Sequence, residues 1–142
     1  MLRQIAYHNM NSRRLSKDDL QLIERARSLV GEKKVSGGTV KEVGSALLTE
    51  EGKIFTGVSI DLWCGIGFCA EHSAIANMIS HSSETQIKTI VAHNGSEIIY
   101  PCGRCREMME LVDIRNRENT EVIISEDRKV KLKELLPGKW MQ

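Results

Sequence analysis

The chain predicts an α/β fold, a three-layer α/β/α sandwich around a mixed sheet. Apolar, β-branched runs alternate along it with stretches whose apolar residues recur at helical spacing. The first two runs, Val43 to Thr49 and Lys53 to Ile60, are separated only by Glu50-Glu51-Gly52. They therefore form an antiparallel hairpin in a sheet whose later strands are connected through helices. At 142 residues, 41% hydrophobic and 27% charged, the chain suffices for one domain with a single substantial core.

Residues 1–15 read as an irregular N-terminal extension, and residues 16–142 as the domain. Ser16 is an N-cap with Asp19 as its capping-box partner, opening a helix from Lys17 to about Val30. Its apolar side is Leu22, Ile23, Ala26, Leu29 and Val30, and Gly31 stops it. Lys33 to Lys41, with Ser36-Gly37-Gly38, reads as a loop before the hairpin. Asp61 to Phe68 is a flexible lead into a second helix, Ala70 to Ile79.

A strand follows at Ile87 to Ala92, a turn at Asn94-Gly95, and an extended stretch at Ile98 to Tyr100. Pro101 marks the entry to a third helix with Met108, Met109, Leu111 and Val112 on its apolar side. Glu121 to Ser125 and Val130 to Leu132 read as strands, and Lys133 to Leu136 as a last helical turn before Pro137-Gly138.

Composition narrows the function. A net charge of +1 leaves no electrostatic footprint for nucleic acid or an anionic membrane, so the expected partner is a small molecule. Met1 to Leu15 lacks an apolar run, which argues against an export signal and for a cytoplasmic protein. In that setting the cysteines are thiols or metal ligands, not disulfides. Cys64 has no motif partner and reads as a small buried hydrophobe. His8, His81 and His93 stand outside any cluster.

The chemistry is concentrated in Cys69-Ala70-Glu71-His72 and Pro101-Cys102-Gly103-Arg104-Cys105-Arg106. Cys69, Cys102 and Cys105 supply three soft ligands, which leave a tetrahedral Zn²⁺ one open position, as catalytic sites do. Helix N-termini stabilise thiolates, and Cys102 and Cys105, three apart, face the same way. Glu71 is placed to move protons on a water at that position. Three thiolates overcompensate the ion, so cations are expected near the sulfurs, with His72, Arg104 and Arg106 as candidates. The competing reading is a closed structural zinc site with His72 as the fourth ligand, in a non-catalytic module.

This Cys-x-Glu and Pro-Cys-x-x-Cys pattern is the signature of zinc deaminases. Together with Val43-Gly44-Ser45-Ala46-Leu47-Leu48, Gly52-Lys53-Ile54-Phe55-Thr56-Gly57 and Glu134-Leu135-Leu136-Pro137, it resembles the small cytidine deaminases and their relatives, the blasticidin S deaminases. The resemblance runs from about Leu20 to about Trp140. It implies hydrolytic deamination at C4 of a cytosine nucleoside, with Glu71 as both base and acid, and a homo-oligomer, a tetramer.

It further implies substrate contacts from Ser59 and Asp61, where the family has a ribose-binding Asn and Glu, and from Ala70, the backbone of Tyr100, and Trp140 reaching a neighbouring subunit. His72 departs from the family's Arg, and Arg104 is expected to compensate. Lys41 replaces an aromatic near the base. With a lysine there, a modified or acidic cytosine nucleoside is the expected preferred substrate.

Overall fold

The computed structural model describes residues 10–141. Its elements are β1 (Arg13–Arg14), α1 (Lys17–Leu29), β2 (Lys33–Val35), β3 (Gly38–Thr49), β4 (Ile54–Leu62), a 3-10 turn (Trp63–Gly65), β5 (Gly67–Phe68) and α2 (Ala70–His81). They continue with β6 (Ile87–His93), β7 (Ile98–Ile99), α3 (Gly103–Val112), α4 (Asn116–Asn119), β8 (Glu121–Ile123), β9 (Arg128–Lys131) and α5 (Leu132–Leu135).

Helix α1 begins with the expected capping box. The Asp19 N–H donates to Ser16 Oγ at 3.3 Å, and the Ser16 N–H donates to the Asp19 carboxylate at 2.8 Å. That carboxylate also meets Lys129 on β9 at 2.8 Å. Burial raises its pKa, but Lys129 and the Ser16 donors outweigh burial and hold it below the usual carboxylate value.

The sheet runs β1-β9-β8-β6-β3-β4-β5, with β2 added to β3 and β7 to β6. The β6–β8 pair is parallel and the other pairs are antiparallel, so the sheet is mixed. β3 shows how one strand serves two layers. Leu47 packs with Ala74, Met78, Cys105 and Met109 of α2 and α3. Its neighbours Ala46 and Leu48 point the other way, toward Leu22, Ile23 and Ala26 of α1. The three-layer sandwich is therefore as expected. Each fully buried Leu or Ile contributes about 1.5–3 kcal/mol.

Two glycines inside the hairpin strands let the helices approach closely. A Cβ on Gly57 would lie 2.3 Å from the Ala74 nitrogen of α2, and one on Gly44 would lie 2.2 Å from the Ala26 carbonyl of α1. Helix α2 is tied to β4 as well: the Val58 N–H donates to Ser73 Oγ at 3.3 Å, and Asn77 Nδ2 donates to the Thr56 carbonyl at 3.0 Å.

The expected loop at 33–41 is instead a hairpin. Lys33 pairs with Val40 and Val35 with Gly38, turning through Ser36-Gly37. The expected flexible lead at Asp61 to Phe68 is ordered by β5 pairing with β4, Ile60 opposite Phe68. Cys64 is not buried; it is exposed on the 3-10 turn with φ of 61°. In the extension expected to be irregular, Arg13 and Arg14 pair with Lys129 and Arg128, while residues 1–9 lie outside the described residues.

Helix α4 was unforeseen. Asn116 secures it, accepting from the Ile87 N–H at 2.9 Å and donating to the Thr85 and Met109 carbonyls. Among the described residues no helix is long and apolar enough to cross a membrane.

Candidate active site

Cys69 is the N-cap of α2 and Cys102 the N-cap of α3, and Cys105 lies in the first turn of α3. Packing α2 beside α3 under β3 joins the two motifs. Cys69 Sγ lies 3.5 Å from Cys102 Sγ, which lies 3.5 Å from Cys105 Sγ. All three sulfurs fall within 4.8 Å of one another, and they form the only such ligand group among the described residues. Tetrahedral zinc with Zn–S bonds of about 2.3 Å places its sulfurs about 3.8 Å apart. The donor set therefore fits that ion. His72 does not join the group, which leaves the closed structural site without its fourth ligand.

The electrostatics agree with a cation-binding set. Burial, then the Glu71 charge and the other sulfurs, pushes the Cys105 thiol far above its ordinary value. Burial and the Cys102 sulfur raise Cys69. Cys102 is lowered: burial acts upward, but the Cys105 and Arg104 N–H groups and the neighbouring thiols outweigh it. Three crowded thiols, two of them resisting ionisation, call for a positive charge among them.

Glu71 is 4% exposed, and burial raises its pKa despite opposing hydrogen bonds from its own backbone and Cys105. A carboxyl shifted upward in this way can hold a proton as well as release one.

The expected cations divide. Arg104 is exposed and lines both the cavity described below and an adjoining groove. Arg106 is turned elsewhere: Nε donates to the Pro101 carbonyl at 2.8 Å and a terminal nitrogen donates to the Leu135 carbonyl at 3.0 Å. It clamps the ligand loop to α5. His72 has its pKa lowered by burial and then by the Arg104 charge, although a backbone hydrogen bond with Arg104 acts the other way. Its Nε2 is buried without a hydrogen-bond partner among the described residues.

A cavity of about 380 Å³ opens onto Cys69, Glu71 and Cys102. Ala70, Tyr100, Ser59 and Asp61 line it, as the sequence led one to expect. Ser59 has a second task, since its Oγ accepts the Val43 N–H at 2.9 Å. Lys41 is exposed and does not line the cavity, whereas Glu42 and Val43 do. Phe68 and Ile99 complete an apolar portion that no sequence motif announced.

Trp140 is 71% exposed, lies outside the cavity of its own chain, and donates Nε1–H to the Glu107 carboxylate. Trp63 is exposed over Gly37 and also lies outside the cavity.

The fold is that of solved cytidine deaminases. The enzyme from Mycobacterium tuberculosis superposes with a TM-score of 0.74 at 22% identity, covering 89% of this chain and all 100% of that one. The Burkholderia pseudomallei enzyme gives 0.65 at 23% identity, covering 89% and 100%. The family is shown by sequence. The model for the cytidine and deoxycytidylate deaminase zinc-binding region matches residues 16–118.

A probable cytidine deaminase of Dictyostelium discoideum is 35% identical over 106 residues, covering 70% of this chain and 69% of its own. The cytidine deaminase of Halalkalibacterium halodurans is 28% identical over 99 residues, covering 68% and 75%. The chain belongs to the cytidine and deoxycytidylate deaminase family.

Proposed function

We propose that this protein is a zinc-dependent hydrolytic deaminase of cytosine nucleosides or nucleoside-like compounds, with residues 16–142 as the catalytic domain. The observation that carries the reading is the buried Glu71 beside three clustered cysteine sulfurs at an open cavity. Cys69, Cys102 and Cys105 would hold the metal. Zinc, when bound, supplies a Lewis acid that activates water near neutral pH.

Glu71 takes a proton from the attacking water and passes it to ring N3 as the oxygen adds to C4. It then carries the second proton to the leaving amine, so water is consumed and ammonia released. The Tyr100 carbonyl and the Cys102 N–H flank the reacting carbon, Ala70 lies against the ring, and Ser59 and Asp61 address the sugar. Arg104 balances the excess negative charge at the sulfurs.

Purified zinc-loaded protein tests the reading by ammonia release and ultraviolet absorbance change with cytidine, deoxycytidine and blasticidin S. Absence of turnover with every cytosine compound would leave only a metal-holding module.

We also propose a homo-oligomer, a tetramer as the family resemblance implies, in a reducing cytoplasm where the thiols persist. Support comes from a groove beside the cavity, where Phe68, Ala76, Met108 and Leu111 present apolar surface next to Glu107 and its partner Trp140. Sedimentation at micromolar concentration tests it, with a monomer as the contrary result.

A further inference from the structure

We propose that Glu42, and not Lys41, sets the charge preference of this cavity, favouring cytosine compounds with a cationic group on the sugar. The inference rests on the deaminase reading and deepens it to a substrate class.

It begins with a count of residues across a strand pair. Val40 of β3 pairs with Ile60 of β4, and Gly44 pairs with Val58. Lys41, Glu42 and Val43 therefore face a single residue, Ser59. The surplus leaves the ladder as a bulge, and Lys41 takes a φ of 64°, a left-handed conformation that costs a residue with a Cβ. Both flanks of the bulge are pinned. The Gly31 N–H donates to the Lys41 carbonyl at 3.0 Å, and the Val43 N–H donates to Ser59 Oγ at 2.9 Å.

The consequence is an exchange of signs. Lys41 is exposed and away from the cavity, while Glu42 is half-buried and lines it together with Asp61. Glu42 and Asp61 thus put two acidic residues in the lining beside one basic residue, Arg104. An ammonium group on the sugar is attracted by such a wall, and a phosphate is repelled.

The test compares kcat/KM for cytidine, 5′-amino-5′-deoxycytidine and cytidine 5′-monophosphate at low ionic strength. The unaltered protein is expected to prefer the amine and to use the monophosphate least. Glu42→Gln should lower the amine-to-cytidine ratio about five- to tenfold, chiefly through the KM of the amine. Glu42→Asp, which keeps the charge, should restore part of it. Lys41→Ala should leave it unchanged, and added salt should shrink it.

A readout without turnover is calorimetric binding of 5′-amino-5′-deoxyuridine against uridine, which should show the same dependence on Glu42. Normal cytidine turnover with a ratio indifferent to Glu42→Gln, or lowered equally by Lys41→Ala, overturns this inference and leaves the deaminase reading standing. Failure to deaminate any cytosine compound removes both.

Discussion

On one side of the cavity, Cys69, Glu71, Cys102 and Cys105 sit at the first turns of α2 and α3. On the other, Glu42, Val43, Ser59 and Asp61 sit on a bulged pair of strands. The helix side gets its geometry from local rules. A cap residue and the residue three further on face one way, and orphan N–H groups await an anion. Two such helices need only be packed on the same face of the sheet: Gly57 and the β4 contacts of Ser73 and Asn77 seat α2, and Cys105 and Met109 of α3 share a core with its Ala74 and Met78. The strand side has no such local code. Which of three consecutive residues faces the cavity depends on pairing partners elsewhere in the chain. On the proposed reading, the chemistry therefore lies on the side that local rules specify, and substrate selection on the side that distant strand pairing sets.

The sharpest way to break this contrast is to remove a helix-side ligand. Cys105→Ala should abolish zinc retention and reduce turnover to background, whereas Cys64→Ala, on an exposed turn, should retain one zinc per chain by elemental analysis. Equal loss of zinc in both would dissolve the ligand assignment.

Next in size, Glu71→Gln should keep zinc and the circular dichroism spectrum while kcat falls by about 10²–10⁴-fold. Near-normal turnover in that variant would take Glu71 out of the mechanism.

Gly57→Ala probes how rigidly the helix side is held. Its new methyl would meet the Ala74 nitrogen at 2.3 Å, so a thermal melt should show a loss of about 1–3 kcal/mol, with kcat lowered as α2 is displaced. An unchanged melting temperature would mean that α2 is not seated as described.

The smallest expected effect is on the strand side. Ser59→Ala leaves the Val43 N–H without its acceptor, costing about 1–2 kcal/mol and raising KM a few-fold, with zinc content unaltered. Should kcat fall as steeply as in Glu71→Gln with KM unchanged, the division of labour between the two sides is mistaken.

The sequence by itself determined the parts that depend on near neighbours. The capping box of α1, the N-cap positions of Cys69 and Cys102, and the i to i+3 spacing of Cys102 and Cys105 all follow from residues within a turn of one another, whereas bringing Cys69 to the other two took the packing of α2 beside α3. Tertiary structure decided what depends on distant partners. The bulge at Lys41 was invisible because residues 33–41 read as a loop, and only the pairing of Val40 with Ile60 on β4 carries the strand back past it.

Helix α4 escaped notice because Asn116, polar and unremarkable in sequence, finds all its partners across the chain at Thr85, Ile87 and Met109. Arg106 reads as a cation beside the cysteines until α5 arrives to offer the Leu135 carbonyl, and His72 reads as one until burial and the Arg104 charge lower its pKa. A side chain's type is written in the sequence. Its solvent, its charge state and the face it shows are set by whatever the rest of the chain packs against it.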